Sequence, residues 1–428
     1  MSKAIHVVDI GYGDSGKGTV TDALVRRLGS STVVLPCGGS QRSHNVHTPE
    51  GLHHAFAQIG SGSFVPGVET IIGKDFLFSP VALVNEAEVF DRLHPLGWSP
   101  ASDNHHILDR VFVDARAKVI TPIHRALNQM RERARGADRH GSCGMGIGEC
   151  VNQHIKAPWA TIYAANLNDV ELLKNKLLMQ MSFAAAEAVS IPTSDRSLGE
   201  VLSLDYAATK AFEFFSVGRR INVLFPPEIN AKLKAANYPI FEGAQGVMLD
   251  ETFGFNPHTT WATVTQKHGV EMLAECGWTD EQKVVAVSRT YATRHGYGPF
   301  PTESPDANHL VADDDNTTGE WQGSFRAGWF DELAIHYALN CIGQADYYAL
   351  THTDKCEGRM KIRRSRYSHR HVNSAKLLGA DAHIFDVPGW ECLDMIRSAF
   401  DCAGVKPLLV SRGKTHAEKD FHLWTAKL

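Results

Sequence analysis

Seven short, almost unbroken apolar runs constrain the fold of this chain more than any other feature. They are Ala4–Ile10 (AIHVVDI), Thr32–Leu35, Thr70–Ile72, Val111–Val113, Lys283–Val287, Tyr347–Leu350 and Pro407–Val410. A strand with one face in water alternates polar and apolar residues, whereas a run without that alternation needs cover on both faces. Between the runs lie amphipathic stretches, among them Thr21–Leu28, Pro122–Arg135, Leu172–Val189 and Glu332–Cys341. Strands and helices in alternation predict an α/β fold with a large, mostly parallel central sheet flanked by helices. No internal repeat or low-complexity linker interrupts the pattern, so residues 1–428 are expected to form a single domain with long inserted loops. The polar, Gly/Asp-rich stretch Asp306–Gly323 is predicted to be a long mobile loop, functional or disordered.

Charge and cysteine usage narrow the function. The 428 residues include 43 Lys+Arg and 48 Asp+Glu, a net charge of −5. That balance argues against nucleic-acid and membrane-surface partners, which call for concentrated positive charge. Eight cysteines are scattered without a CxxC pair, and none of the 22 histidines is spaced with them as zinc ligands are. A chain this long needs no disulfide framework. The N-terminus enters a strand too early for a signal peptide, and no run of about 18 apolar residues exists to span a membrane. The expectation is a reduced, cytoplasmic protein.

The sharpest local signal is Gly11-Tyr-Gly-Asp-Ser-Gly-Lys-Gly-Thr19, directly after the first strand and before a helical pattern. Glycines let backbone N–H groups close on an anion, a helix N-terminus adds a positive dipole, and Lys17 adds a full charge. The loop nearly satisfies the P-loop pattern, with Gly11, Gly16 and Lys17 in place. Gly18, however, stands where Ser or Thr would reach magnesium. Asp14 inside a phosphate loop should repel its ligand unless it holds Mg²⁺ or acts as a base. The loop by itself supports a nucleotide-using enzyme.

Further motifs follow in order: Gly38-Gly-Ser-Gln-Arg-Ser-His44, Ile72–Pro80 (IGKDFLFSP), Gly141–Gly148 (GSCGMGIG) and Phe241-Glu-Gly-Ala-Gln-Gly246. Then come Tyr291–Glu303 (YATRHGYGPFPTE), Thr317-Thr-Gly319, Gly328-Trp-Phe-Asp331, Leu350-Thr-His-Thr-Asp354 and Ser411-Arg-Gly413. Together they resemble the adenylosuccinate synthetase family, whose corresponding text reads WGDEGKGK, GGHNAGH, IGNGVVLSP, GTTGRGIG, FEGAQG and YSTRVGAGPFPTE. The resemblance runs from residue 4 to about 415.

It implies a P-loop-like, GTP-binding enzyme that moves the γ-phosphate of GTP onto the 6-oxygen of a purine nucleotide such as IMP. An amine, aspartate or another amino acid, would then displace that phosphate. By the resemblance, Asp14, His44 and Lys17 are catalytic: Asp14 takes the N1 proton, His44 stabilises the phosphorylated oxygen, and Lys17 holds GTP phosphates. Gly13, Ser15, Gly16, Gly18, Thr19, His352, Asp354, Ser411 and Gly413 are implied to bind GTP, Asp354 by accepting from guanine. Gln41, Ser142, Cys143, Gln245 and Thr260 are implied to hold the acceptor nucleotide, and Thr317, Thr318 and Arg326 the amino acid. Asp14 and Gly39 are implied Mg²⁺ ligands. A homodimer taking only small-molecule partners is likewise implied.

The departures cluster on the substrate side. Cys143 replaces a phosphate-binding Thr of the family and Met145 its adjacent Arg. Glu320-Trp-Gln-Gly-Ser-Phe-Arg326 replaces a run of four arginines that clamps aspartate, and His352 replaces a Lys. Guanidinium–carboxylate contacts are worth roughly 1.5–3 kcal/mol each, so losing about three should weaken aspartate recognition by several kcal/mol. Three readings stay open: Arg42, Arg294 or Arg326 takes over the carboxylates; the enzyme joins a different amine to a different nucleotide or nucleoside; or the chain binds GTP without ligating.

Overall fold

The computed structural model describes residues 3–93, 106–193, 195, 197–311, 321–343, 345–364, 377–378 and 382–422. Its strands are β1 (Ala4–Asp9), β2 (Thr32–Gly39), β3 (His44–His47), β4 (His53–Phe56), β5 (Glu69–Phe78) and β6 (Val111–Asp114). Next come β7 (Lys118–Val119), β8 (Asn222–Leu224), β9 (Ile240–Glu242), β10 (Gln282–Arg289), β11 (Ala292–His295) and β12 (Phe325–Gly328). The last are β13 (Phe330–Asp331), β14 (Tyr347–Thr351), β15 (Arg359–Arg364), β16 (His383–Pro388), β17 (Lys406–Ser411) and β18 (Lys419–Phe421).

One sheet dominates, in the order β18-β17-β14-β10-β1-β9-β2-β5-β6-β8, with β7 also paired to β5. Every pairing in it is parallel except β17 with β18. All seven apolar runs lie in this sheet, as their lack of alternation demands. Residues of β1 and β2 are buried throughout. Helices α1 (Lys17–Leu28), α2 (Pro80–Asp91), α3 (Pro122–Arg135), α4 (Ile147–Lys156) and α5 (Val170–Val189) supply part of the cover. A large apolar cluster centred on Val7, Val33, Leu35, Phe56 and Ile72 fills the space beneath them.

The start of the stretch Asp306–Gly323, expected to be a loop, is instead part of a 3-10 helix, Pro305–Val311. Residues 312–320, and with them Thr317 and Thr318, lie outside the described residues. Among the described residues no helix is long and apolar enough to cross a membrane. All eight cysteines are unpaired.

In an open parallel sheet the crevice outside the carboxyl ends of the strands is where loops can reach a ligand. Here those ends bring together Asp9 of β1, Gly39 of β2, Glu242 of β9, Arg289 of β10, Thr351 of β14 and Ser411 of β17.

Candidate active site

The phosphate loop is built around a buried carboxylate. Asp9 ends β1 and is 1% exposed. It accepts from Gly11 N at 2.8 Å, Ser15 N at 3.1 Å and Lys17 Nζ at 3.0 Å, which bends the chain back over the strand end. Gly16, at φ 83°, opens α1 with Lys17 as its first residue. The missing Ser/Thr has a steric reason: a Cβ on Gly18 would lie 2.8 Å from the Cβ of His44. From the other side, Thr351 donates its hydroxyl to Ser15 O at 2.8 Å, tying β14 to the loop.

A cavity of about 180 Å³ opens over this loop. It is lined by Asp14, Gly16, Lys17, Gly18, Thr19, His44, His352, Asp354, Ser411 and Gly413, so the structure brings these sequence-predicted residues together. Ser43, Arg289 and Lys355 join them there. Gly13 and Ser15 line a small neighbouring cavity instead. Gly39 is not in the cleft: the space where its Cβ would sit is bounded by Gln41, Ile147 and Leu77 O. Of Gly39 and Ser43, it is Ser43 that lines the cleft with Asp14.

His44 is held by charge. Its Nδ1 lies 2.6 Å from Glu242 Oε1, and Arg42 Nη2 lies 3.0 Å from Glu242 Oε2. Burial pushes the Glu242 pKa up, but Arg42 and His44 outweigh it and keep the carboxyl well below its usual range. Glu242 Oε1 and Arg42 Nη2, the latter 2.8 Å away, both meet His44 at Nδ1, so neither occupies Nε2. Burial, reinforced by Arg42, lowers the His44 pKa to about 4. The imidazole of the resting site is therefore neutral.

A second cavity, of about 350 Å³, adjoins the first. Gln41, Ser142, Cys143, Gln245 and Thr260, all predicted on the acceptor side, line it. Gln245 takes a left-handed φ of 50°, and its Oε1 is buried without a hydrogen-bond partner. Asp14, also left-handed at φ 57°, marks the junction of the two cavities. His295, lining the second cavity, reaches across to it with Nε2 3.1 Å from Asp14 Oδ2.

Two cavities, a phosphate loop and a carboxylate, Asp14, in contact with residues of both are what a two-substrate phosphoryl-transfer site requires. A family model described as adenylosuccinate synthetase matches residues 6–391. The chain belongs to the adenylosuccinate synthetase family. It is accordingly a GTP-dependent ligase that forms a C–N bond. The adenylosuccinate synthetase of Mycobacterium tuberculosis is 31% identical over 350 residues, 81% of this chain and 76% of that one. The enzyme named so in Mycobacterium marinum is 28% identical over 399 residues, 90% and 87% of the two chains. In fold, the chain resembles the fully ligated adenylosuccinate synthetase of Plasmodium falciparum, with a TM-score of 0.80 at 19% identity. That alignment covers 98% of this chain and all of the other. It also resembles cyanophage S-2L succinoaminodeoxyadenylate synthetase, bound to dGMP and to dATP as an energy donor, with a TM-score of 0.64 at 17% identity. There the alignment covers 100% of this chain and 97% of the other.

Against the family pattern, the arginines that the sequence offered to an aspartate carboxylate are all engaged within the protein. Arg294, 1% exposed, donates to the carbonyls of Tyr297, Pro299 and His258 at 2.8–3.1 Å. Arg326 pairs with Glu303 and donates to the Gly296 and Gly298 carbonyls at 2.9 Å each. Arg42 serves Glu242. Sequence reasoning missed Asp9, Glu242 and His295. Each left a signal: a carboxylate inside an apolar strand, an acid in the FEGAQG motif, and a His where the family pattern has Val.

Proposed function

We propose that the enzyme phosphorylates the 6-oxygen of an IMP-like purine with GTP and then lets an amine displace the phosphate. The observation that carries this reading is the position of Asp14. Its carboxylate sits between the phosphate cleft and the larger cavity, where a base for the purine N1 proton is needed. Lys17 and the loop amides would hold the GTP phosphates, and His44 Nε2 would meet the phosphorylated oxygen. Asp354 would accept the N1–H and 2-amino hydrogens of guanine, with Ser411 and Gly413 beside the base. Gln41, Ser142, Cys143, Gln245 and Thr260 would enclose the acceptor.

Mg²⁺ fits the donor set. Asp14 offers a hard oxygen in the phosphate cleft, and Mg²⁺ characteristically takes one or two carboxylates plus substrate phosphates. Asp14 would hold the ion, which when bound neutralises charge on the transferred phosphoryl group. A homodimer and a cytoplasmic location accord with the family.

One observation favours an amine other than aspartate. Arg294 and Arg326 are consumed by internal partners, and Arg42 gives its Nη2 to Glu242 while its Nε and Nη1 are buried, so neither Arg294 nor Arg326 offers a guanidinium fork to a second carboxylate. The test is GTP-dependent phosphate release with a purine acceptor, with and without aspartate, followed by product mass. A product heavier by a succinyl unit identifies aspartate as the amine. Release only with other amines supports the altered pocket. No release with any amine or purine acceptor would refute the ligase reading.

A further inference from the structure

Among the described residues four arginines are buried: Arg42, Arg289, Arg294 and Arg363. A buried guanidinium is costly unless an anion or a full set of acceptors meets it. Three of the four meet that demand inside the protein. Arg42 Nη2 lies 3.0 Å from Glu242 Oε2, and Arg363 Nη1 lies 2.8 Å from Asp331 Oδ2. Arg294 has no carboxylate but gives Nε, Nη1 and Nη2 each to a carbonyl, at 2.8–3.1 Å.

Arg289 has neither kind of compensation. It is 4% exposed, and it donates only to neutral hydroxyls, from Nη1 to Thr293 Oγ1 at 2.8 Å and from Nη2 to the Tyr291 phenol. Its guanidinium stands over the Tyr291 ring, 4.4 Å from the centroid. Nε is buried without a hydrogen-bond partner, and among the described residues no carboxylate pairs with this side chain. Arg289 ends β10 opposite Thr351 of β14, and it lines the phosphate cleft with Asp14, Lys17 and His44. Lys17, the other buried cation of that cleft, is matched by Asp9. The charge of Arg289 reaches the cleft. Burial raises the Asp14 pKa while His295, Lys17 and Arg289 lower it, and burial and then Arg289 lower that of His352. Asp14 itself pairs with His295, not with Arg289.

Resting on the phosphoryl-transfer reading above, we infer that the missing counter-ion of Arg289 is the polyphosphate chain of the bound nucleotide. Arg289 is thus a further phosphate-recognising residue of this enzyme. A guanidinium suits the task, since it stays charged and its planar fork matches phosphate oxygens. Transfer breaks the bond from Pγ to the β,γ-bridging oxygen and forms one from Pγ to the acceptor oxygen, so negative charge gathers on the departing β-phosphate. A cation already fixed in the cleft wall stabilises that charge without reorganising, as an arginine finger does when the same chain supplies it. Lys17 and the loop amides position the phosphates. Arg289 adds the positive charge that Lys17, matched by Asp9, does not leave over.

The test is calorimetric titration of the full chain, with Mg²⁺ present, using a non-hydrolysable GTP analogue and inorganic tripolyphosphate as probes. Arg289→Met, which removes the charge at similar size, should weaken both by roughly tenfold or more. Arg289→Lys, which keeps a charge without the fork, should bind both more tightly than Arg289→Met does. The double variant Tyr291→Phe/Thr293→Val removes the hydroxyls that Arg289 now engages but keeps the guanidinium, and should bind as the wild type does. Wild-type affinity for both probes in Arg289→Met overturns the inference. So does an equal loss in the double variant, which would make the role structural, or a lysine variant no better than the methionine one. A wild type that takes up neither probe overturns it too. Phosphate release from GTP with a purine acceptor is read separately. Its absence in the wild type would count against the ligase reading, while the titrations still report on Arg289.

Discussion

On the proposed mechanism, proton transfer in this site depends on Asp14, and His295 Nε2 lies 3.1 Å from its Oδ2. Burial alone would raise the Asp14 pKa, but His295 first, then Lys17 and Arg289, outweigh it and hold the carboxyl at about 2. A base works only when ionised, so activity is lost as pH falls through that pKa. His295→Val removes the largest lowering interaction and lets the pKa move back toward 3.8. The acid limb of kcat/KM for phosphate release should therefore move to higher pH in the variant, with its plateau kept. An unmoved limb would show that His295 does not tune Asp14. Asp14→Asn should abolish phosphate release while GTP binding persists, and wild-type turnover would remove Asp14 from the mechanism. Asp354→Asn should weaken GTP more than ATP, since adenine offers no matching donor pair; equal effects in competition binding would contradict its guanine role. At this scale the sequence was readable wherever a residue's chemistry was out of place, as with Asp14 among phosphate-binding glycines. It was silent where function depends on who pairs with whom. Arg326 looked available in the sequence, and only the fold brings Glu303 and two carbonyls to it.

The strand–loop–helix unit of β1 and α1 acts as one piece, and Asp9 is its pin. Lys17 Nζ and Asp9 are 2% and 0% exposed in their side chains, so the pair is fully desolvated. Breaking such a pair from one side costs roughly 3–5 kcal/mol, because the remaining charge stays buried. Asp9→Asn should lower the urea midpoint accordingly and weaken GTP binding as the loop loses its anchor. A stable variant that binds GTP normally would mean that Lys17 is held by something else. Gly246 supports the same loop from β9's side: a Cβ there would lie 2.3 Å from Gly11 O, so no side chain fits. Elements of this kind differ in how plainly the sequence shows them. β1, β5 and β10 run six to ten residues and were found from apolar continuity alone. β9 is three residues long, too short for any periodicity, yet it fills the sheet between β1 and β2 and carries Glu242. The β3–β4 and β11–β12 ribbons escape for another reason. Their polar residues, His44 and His295 among them, face the cavities, and so break the pattern that would mark a strand.

Across the whole molecule, buried histidines couple stability to pH. His6 on β1, His44 on β3 and His124 on α3 all have pKa values lowered from 6.5 to about 4, in each case mainly by burial. His352 is pushed down as well, by burial and then by Arg289. In the unfolded chain these groups take up protons below about pH 6.5, and in the folded one they do not. Their depressed pKa values therefore contribute stability that is present above pH 6.5 and is lost as pH falls from there toward 4. His268 opposes this weakly, because Asp75 and Glu271 raise its pKa against burial, which favours the fold at lower pH. The losses outnumber that gain, and each proton of difference is worth about 1.4 kcal/mol per pH unit. The urea midpoint should accordingly fall steeply between pH 6.5 and 5, before most carboxylates begin to protonate. The dependence should be spread over the molecule, since these histidines lie on different elements. His124→Gln removes one of them while leaving a side chain able to accept from Thr121 N, the bond His124 Nδ1 now receives at 3.1 Å. It should lessen the slope by about one proton without touching either cavity. A midpoint that stays flat from pH 7.5 to 5 would mean that these histidines reach water more freely than their burial allows.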